Sequence, residues 1–241
     1  MRRTEKSMIL GITGGVGTGK STVLAYLKEQ YGAFLIQLDD VARQLQQPQE
    51  ACYGPMLELF GIRTKHPDPS RESAGSGIRS AHDTLSCQRS MLLNEDGTFN
   101  RSAVAKLVFA DDDLRRALNR IVHPAVKQRV RELIDSHKDA ALIVIEAALL
   151  LEDHYEEICD EIWFVYAEES VRRERLKKSR GYTDGKISEM LASQRSDESY
   201  QAGCSLTIDN SSENIENTYR QLDEALGERG FWKAASSHSN V

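Results

Sequence analysis

Nine consecutive residues, Gly14 to Thr22 (GGVGTGKST), carry the most legible chemistry in the chain. Glycines at 14, 15, 17 and 19 let backbone N–H groups come close to an anion, and a helix starting directly after them adds partial positive charge at its N-terminus. Lys20 offers a mobile point charge to the outer phosphates of a nucleotide, and the Ser21 hydroxyl suits a hard cation such as Mg²⁺. Gly15, Val16, Gly17, Thr18, Gly19, Lys20, Ser21 and Thr22 are therefore expected around the phosphates of ATP, with Ser21 as a Mg²⁺ ligand.

Such a loop serves kinases, GTPases and molecular motors alike, so other residues must decide. No guanine-reading NKxD string follows an apolar run; the nearest, Thr64-Lys65-His66-Pro67-Asp68, sits in a stretch without periodicity, and no LSGGQ-like string is present. Asp39 follows the second apolar run, where strand ends of an open α/β sheet face the ligand crevice. A carboxylate there can take the proton of an alcohol acceptor, a service that a phosphate acceptor does not need. The alternative for Asp39, and for Asp40, is a cap of the next helix. Glu146 ends the third apolar run and is either a water-mediated support for Mg²⁺ or a solvent-facing strand end; Glu152 shares the ambiguity. The basic run Val171 to Arg180 reads as a solvated helix face, with Arg175 the candidate to close over the transferring phosphate. His123 is a substrate contact or a structural histidine, and Pro124 is expected to stop or kink its helix.

The elements that must position these residues are strands at Met8–Thr13, Phe34–Leu38, Ala141–Ile145, Ile162–Tyr166 and Leu206–Ile208. Helical patterns cover Ser21–Tyr31, Arg101–Asp135, Glu169–Ser179, Asp184–Arg195 and Glu213–Leu226. The alternation predicts an α/β fold with a parallel sheet. The segment 62–90 is rich in Ser, Gly, Pro and Arg with neither period and reads as a mobile insertion; residues 1–7 and 232–241 read as flexible termini. A net charge of −6 argues against a nucleic-acid surface. No apolar run reaches the roughly 20 residues of a membrane span, and the N-terminus lacks a secretory pattern, so a cytoplasmic protein is expected. Four scattered cysteines at 52, 87, 159 and 204 support neither zinc nor disulfides.

With these residues in place the chain resembles the dephospho-coenzyme A kinase family from Met8 to about Leu226, the insertion apart. The motifs stand in the family's order: GITGGVGTGKSTV; LDDVAR, similar to DADxxAR; Phe60-Gly61; NEDGTFNR; IVHP; EAALLLE; SRGYTD; Gln194; and TIDN. The resemblance implies a P-loop NTPase three-layer fold with a five-stranded parallel sheet, its core at 8–41 and 137–229. It also implies a helical acceptor-binding subdomain at 42–136 and a lid at 172–195. It implies transfer of the ATP γ-phosphoryl to the ribose 3′-hydroxyl of dephospho-coenzyme A, a small-molecule substrate. Asp39 is then the base, Arg43, Arg101 and His123 belong to the acceptor site, Arg175 to the lid, and Asn210 lies near the adenine. Gln37 stands where the family has its first Asp, and Ala148 where it has Pro. A non-catalytic ATP sensor is the competing reading; keeping Lys20, Ser21 and Asp39 together counts against it.

Overall fold

The computed structural model describes residues 7–62 and 91–233. The segment 63–90, most of the predicted insertion, lies outside them, as do residues 1–6 and 234–241 of the termini. The chain divides into two compact units, one made of the chain up to Leu38 together with Glu132 onward, the other of Asp39–Arg131.

In the first unit, β1 (Met8–Thr13) leads into α1 (Lys20–Tyr31) and β2 (Phe34–Gln37). The helical unit holds α2 (Leu38–Leu45), α3 (Tyr53–Leu59), α4 (Arg101–Ala110) and most of α5 (Asp112–Ser136). The chain then forms β3 (Leu142–Glu146), β4 (Glu161–Tyr166), α6 (Glu169–Arg180), α7 (Asp184–Ala192), α8 (Asp197–Gly203), β5 (Leu206–Asp209) and α9 (Glu216–Glu228). Five strands pair in parallel in the order β2-β3-β1-β4-β5. The register sets Ile12 and Gln37 level with Glu146, so the β1, β2 and β3 ends that carry the predicted chemistry share one edge of the sheet.

The strands read as unbroken apolar runs because both faces are covered. Leu10, Ile12, Val144, Trp163, Val165 and Ile208 pack with Val23 and Leu27 of α1 and Leu222 and Leu226 of α9. On the alternate positions Ile143, Ile145 and Phe164 are fully buried, and Phe164 stacks on Tyr200 of α8 at 4.8 Å between centroids. In the helical unit, Phe99 meets Tyr53 and Phe60 at 5.3 and 5.9 Å.

Several boundaries depart from the sequence expectation. The predicted 101–135 helix is two helices: Asp111 is extended, and its Oδ1 accepts the Leu114 N–H at 2.9 Å, ending one helix and capping the next. Pro124 does not stop α5, which runs through it to Ser136. Proline removes a single donor, and the helix is packed before and after the gap, by the half-buried Leu118 and Ile121 on one side and the buried Val126 and Val130 on the other. The periodicity gave no bounds for α2 and α3, which fall where a helix after Asp40 and a helical subdomain at 42–136 were expected, and α8 was not expected; each is too brief for a clear 3.6 period. The tail expected to be free from 232 is still tied at Lys233, whose Nζ reaches Asp223 at 2.8 Å.

Asp223 anchors that contact to the core. Tyr26 and Tyr31 of α1 donate to its Oδ1 at 2.8 and 2.7 Å. Burial pushes its carboxyl up, but the hydrogen bonds from Lys233, Tyr31 and Tyr26 outweigh this and hold it below its usual 3.8. A depressed carboxylate stabilises the fold above its unfolded pKa, and that stabilisation disappears as pH falls through the lower folded value. Asp223→Asn should therefore lower stability by roughly 1–2 kcal/mol near neutrality. In thermal melts the gap to the parent should close below pH 3.8; a gap unchanged into that range would contradict the assignment.

Candidate active site

β1 ends at Thr13 and the loop 14–19 delivers the chain to α1, whose first residue is Lys20. Gly19 occupies the N-cap position with φ of +92°, a conformation costly for any residue with a Cβ, and a Cβ there would run into the Asn210 amide. Thr18 is fully buried and closes the loop from within by donating Oγ1 to the Gly15 carbonyl at 2.9 Å. Lys20 curls back over the loop, its Nζ 2.8 Å from the Gly14 carbonyl, 3.4 Å from that of Gly15 and 3.8 Å from Glu146 Oε1. Ser21 is exposed and Thr22 half-buried in the first turn.

Glu146 closes β3 beside this lysine as its half-buried partner, not as a solvent-facing strand end. Glu152 instead takes a structural ion pair with Arg195 at 2.7 Å. The Ser21 hydroxyl and the Glu146 carboxylate are oxygen donors, the set a hard divalent cation prefers. Among the described residues no group of three or more His, Cys, Asp or Glu could cage a metal. A Mg²⁺ ion here would accordingly take most of its ligands from phosphates and water.

The loop is braced from outside. Asn210, 2% exposed, donates Nδ2 to the Thr18 carbonyl at 2.8 Å, while its Oδ1 accepts from the Thr218 hydroxyl at 2.9 Å. Arg175 donates to the same Thr18 carbonyl at 3.4 Å and to the Asn210 carbonyl at 2.9 Å. Both residues thus meet the phosphate loop, but through side chains committed to its backbone, where sequence reasoning had Arg175 at the transferring phosphate and Asn210 at the adenine. Arg172 was expected on the helix surface with the other cations of its run and is instead 6% exposed. Its Nε donates to the Val16 carbonyl at 3.0 Å and its Nη2 to Gln194 Oε1 at 2.8 Å. The signal was present: Leu176 fixes the buried face of this basic helix, and Arg172 lies one turn before it. Across the predicted lid, Lys177 of α6 pairs with Asp184 of α7 at 2.7 Å.

The remaining predicted residues all fall in the helical unit. Asp39 and Asp40 lie inside the first turn of α2, not before it, so neither is a flanking cap; their charge favours that helix end. Both are exposed, and Asp40 pairs with Arg43 at 2.9 Å. Asn100 caps α4 by accepting the Ala103 N–H at 3.2 Å, which sets Arg101 at the first helical position. Arg101 also lines a hollow of about 250 Å³ with Gln46, Phe99, Val104 and Leu118. His123 is half-buried in the middle of α5. Burial pushes the Cys159 thiol up to about 12 and that of Cys204 to about 11, so neither supplies a thiolate nucleophile at neutral pH.

A parallel sheet whose first strand feeds a glycine loop and a lysine-led helix, with an acidic strand end against that lysine, defines a P-loop phosphotransferase of the small-molecule kinase type. The profile of the dephospho-CoA kinase family matches residues 8–68 and 77–216. The chain belongs to the dephospho-CoA kinase family. It is 30% identical over 221 residues to the dephospho-CoA kinase of Shouchella clausii, covering 91% of this chain and 97% of that protein. The Enterococcus faecalis enzyme of the same name is 27% identical, over 92% of this chain and 98% of its own. Among solved structures, TT1252 from Thermus thermophilus superposes with a TM-score of 0.70 at 25% identity, covering 92% of this chain and 98% of that one. A dephospho-CoA kinase from Campylobacter jejuni shares the fold, with a TM-score of 0.59 at 16% identity and coverage of 92% and 98%.

Proposed function

We propose that this protein transfers the γ-phosphoryl group of ATP to the ribose 3′-hydroxyl of dephospho-coenzyme A, giving coenzyme A and ADP, the last step of coenzyme A synthesis. The observation that carries the reading is the family match over both units, with Lys20, its glycine loop and Glu146 arranged as phosphoryl transfer requires. Backbone N–H groups of the loop hold the β-phosphate, and Lys20 draws charge from the β and γ oxygens as the bond between them breaks. Ser21 and, through water, Glu146 would hold a Mg²⁺ ion, which would supply neutralising charge at the phosphates. Asp39 accepts the proton of the 3′-hydroxyl as its oxygen bonds to phosphorus, while Arg43, Arg101 and His123 hold the acceptor. Arg175 and Asn210 act on the nucleotide side.

Cytoplasmic action is in keeping with the three described cysteines being free thiols. Among the described residues no helix is long and apolar enough to cross a membrane.

The test is incubation with ATP, Mg²⁺ and dephospho-coenzyme A. The expected product is one phosphate heavier and loses that phosphate to a 3′-nucleotidase, with ADP formed in equal amount. Steady ATP hydrolysis without acceptor turnover, or phosphorylation of a different alcohol in preference, would refute the assignment.

A further inference from the structure

Sequence reasoning gave the buried arginine of α6 no task, yet it makes the closest outside contact with the loop's Val16 peptide. We infer that Arg172, seated by Gln194, is the positioning residue that aims the Gly17 N–H of the phosphate loop; the inference rests on the nucleotide-binding reading above.

The argument begins with the peptide group. A trans peptide is planar, so its C=O and N–H point to opposite sides. Arg172 Nε holds the Val16 carbonyl at 3.0 Å, which turns the N–H of Gly17 in the same plane away from the arginine. Gly17 sits at φ of +80°, and a glycine peptide can reverse at little steric cost, so sequence alone does not hold this orientation. Reversal would present a carbonyl oxygen to a phosphate, exchanging a donor for a repulsive acceptor.

The guanidinium is itself fixed. Its Nη2 donates to Gln194 Oε1 at 2.8 Å, its Nη1 lies 3.5 Å from Asp197 Oδ1, and a rigid planar fork held at two corners fixes the third. Gln194 Oε1 also accepts the Val16 N–H at 3.1 Å. Both polar groups of Val16 are thus held by side chains from α6 and the residues after α7. Gly15 is what admits this clamp, because a Cβ there would strike Arg172 Nη2 and come within 2.5 Å of Gln194 Oε1. Arg175 and Asn210 apply the same device to the Thr18 carbonyl, and so to the N–H of Gly19.

Calorimetric titration of the full chain with ADP and with AMP tests the inference. ADP carries the β-phosphate that the loop donors meet; AMP ends before it. Arg172→Lys keeps the charge but loses the fork, and should weaken ADP about tenfold, the worth of one charge-assisted hydrogen bond. Gln194→Ala should weaken ADP about three- to fivefold, with AMP unchanged within about twofold in both variants. Equal weakening of ADP and AMP would mean a general structural role and overturn the inference, as would unchanged ADP affinity in both variants. Should Arg172→Lys not fold, Gln194→Ala decides on the same criteria. A parent protein that binds no ADP would sink the nucleotide reading, and the inference with it; a binding parent with unaltered variants sinks the inference alone.

Discussion

Asp39→Asn is expected to cut turnover with dephospho-coenzyme A by roughly 10²–10⁴ while leaving ATP affinity within about twofold. Asparagine matches aspartate in shape, so the first turn of α2 and the fold around it are undisturbed. What disappears is the ability to take a proton. Asp39 is exposed and, among the described residues, has no ion pair, so its carboxylate is open to an incoming hydroxyl. Its neighbour provides the control. Asp40 is engaged with Arg43 at 2.9 Å on an exposed surface, an interaction worth less than about 1 kcal/mol. Asp40→Asn should leave the rate near that of the parent. Rapid-quench measurement of the first turnover separates chemistry from product release. If the Asp39 variant were unimpaired and the Asp40 variant slow, the base would be assigned to the second carboxylate.

The second large effect is expected at Lys20. Lys20→Met keeps the aliphatic stem and removes the ammonium, and should lower kcat by about 10²–10³, the cost of one preorganised donor at a developing charge. The ammonium is held at the loop by the Gly14 and Gly15 carbonyls and sits 3.8 Å from Glu146. It is therefore placed before ATP arrives, and its donors can transfer to phosphate oxygens with little reorganisation. Lys20→Arg should not restore the rate, because a planar guanidinium cannot enter the same space as a compact ammonium. Tryptophan fluorescence and melting temperature should be nearly unchanged in both, which distinguishes lost chemistry from lost fold. An arginine variant with parental kcat would show that only charge, not its position, matters.

Much of this molecule is legible in the sequence because its signals are local. A glycine loop between an apolar run and a helix needs only neighbouring residues to declare itself, and the five apolar runs became the five strands with their limits shifted by one residue or left unchanged. Where the local signal was weak, the reading failed. One proline did not outweigh two buried valines in α5, and one aspartate, Asp111, divided what looked like a single helix.

The glycine loop, Lys20, Ser21 and the order of the motifs were determined by the chain itself. The tertiary structure alone decided what surrounds the loop. The contact of Lys20 with Glu146 joins residues far apart in sequence, and depends on β1 and β3 lying side by side. Arg172 and Arg175 differ by three residues in one basic run, yet the first is buried against Val16 and the second shares the Thr18 carbonyl with Asn210. Residue type states that an arginine can donate; only packing decides whether its partner is a phosphate, water or the backbone. The sequence thus specifies the groups that meet the nucleotide, and the fold specifies the groups that hold those groups in aim.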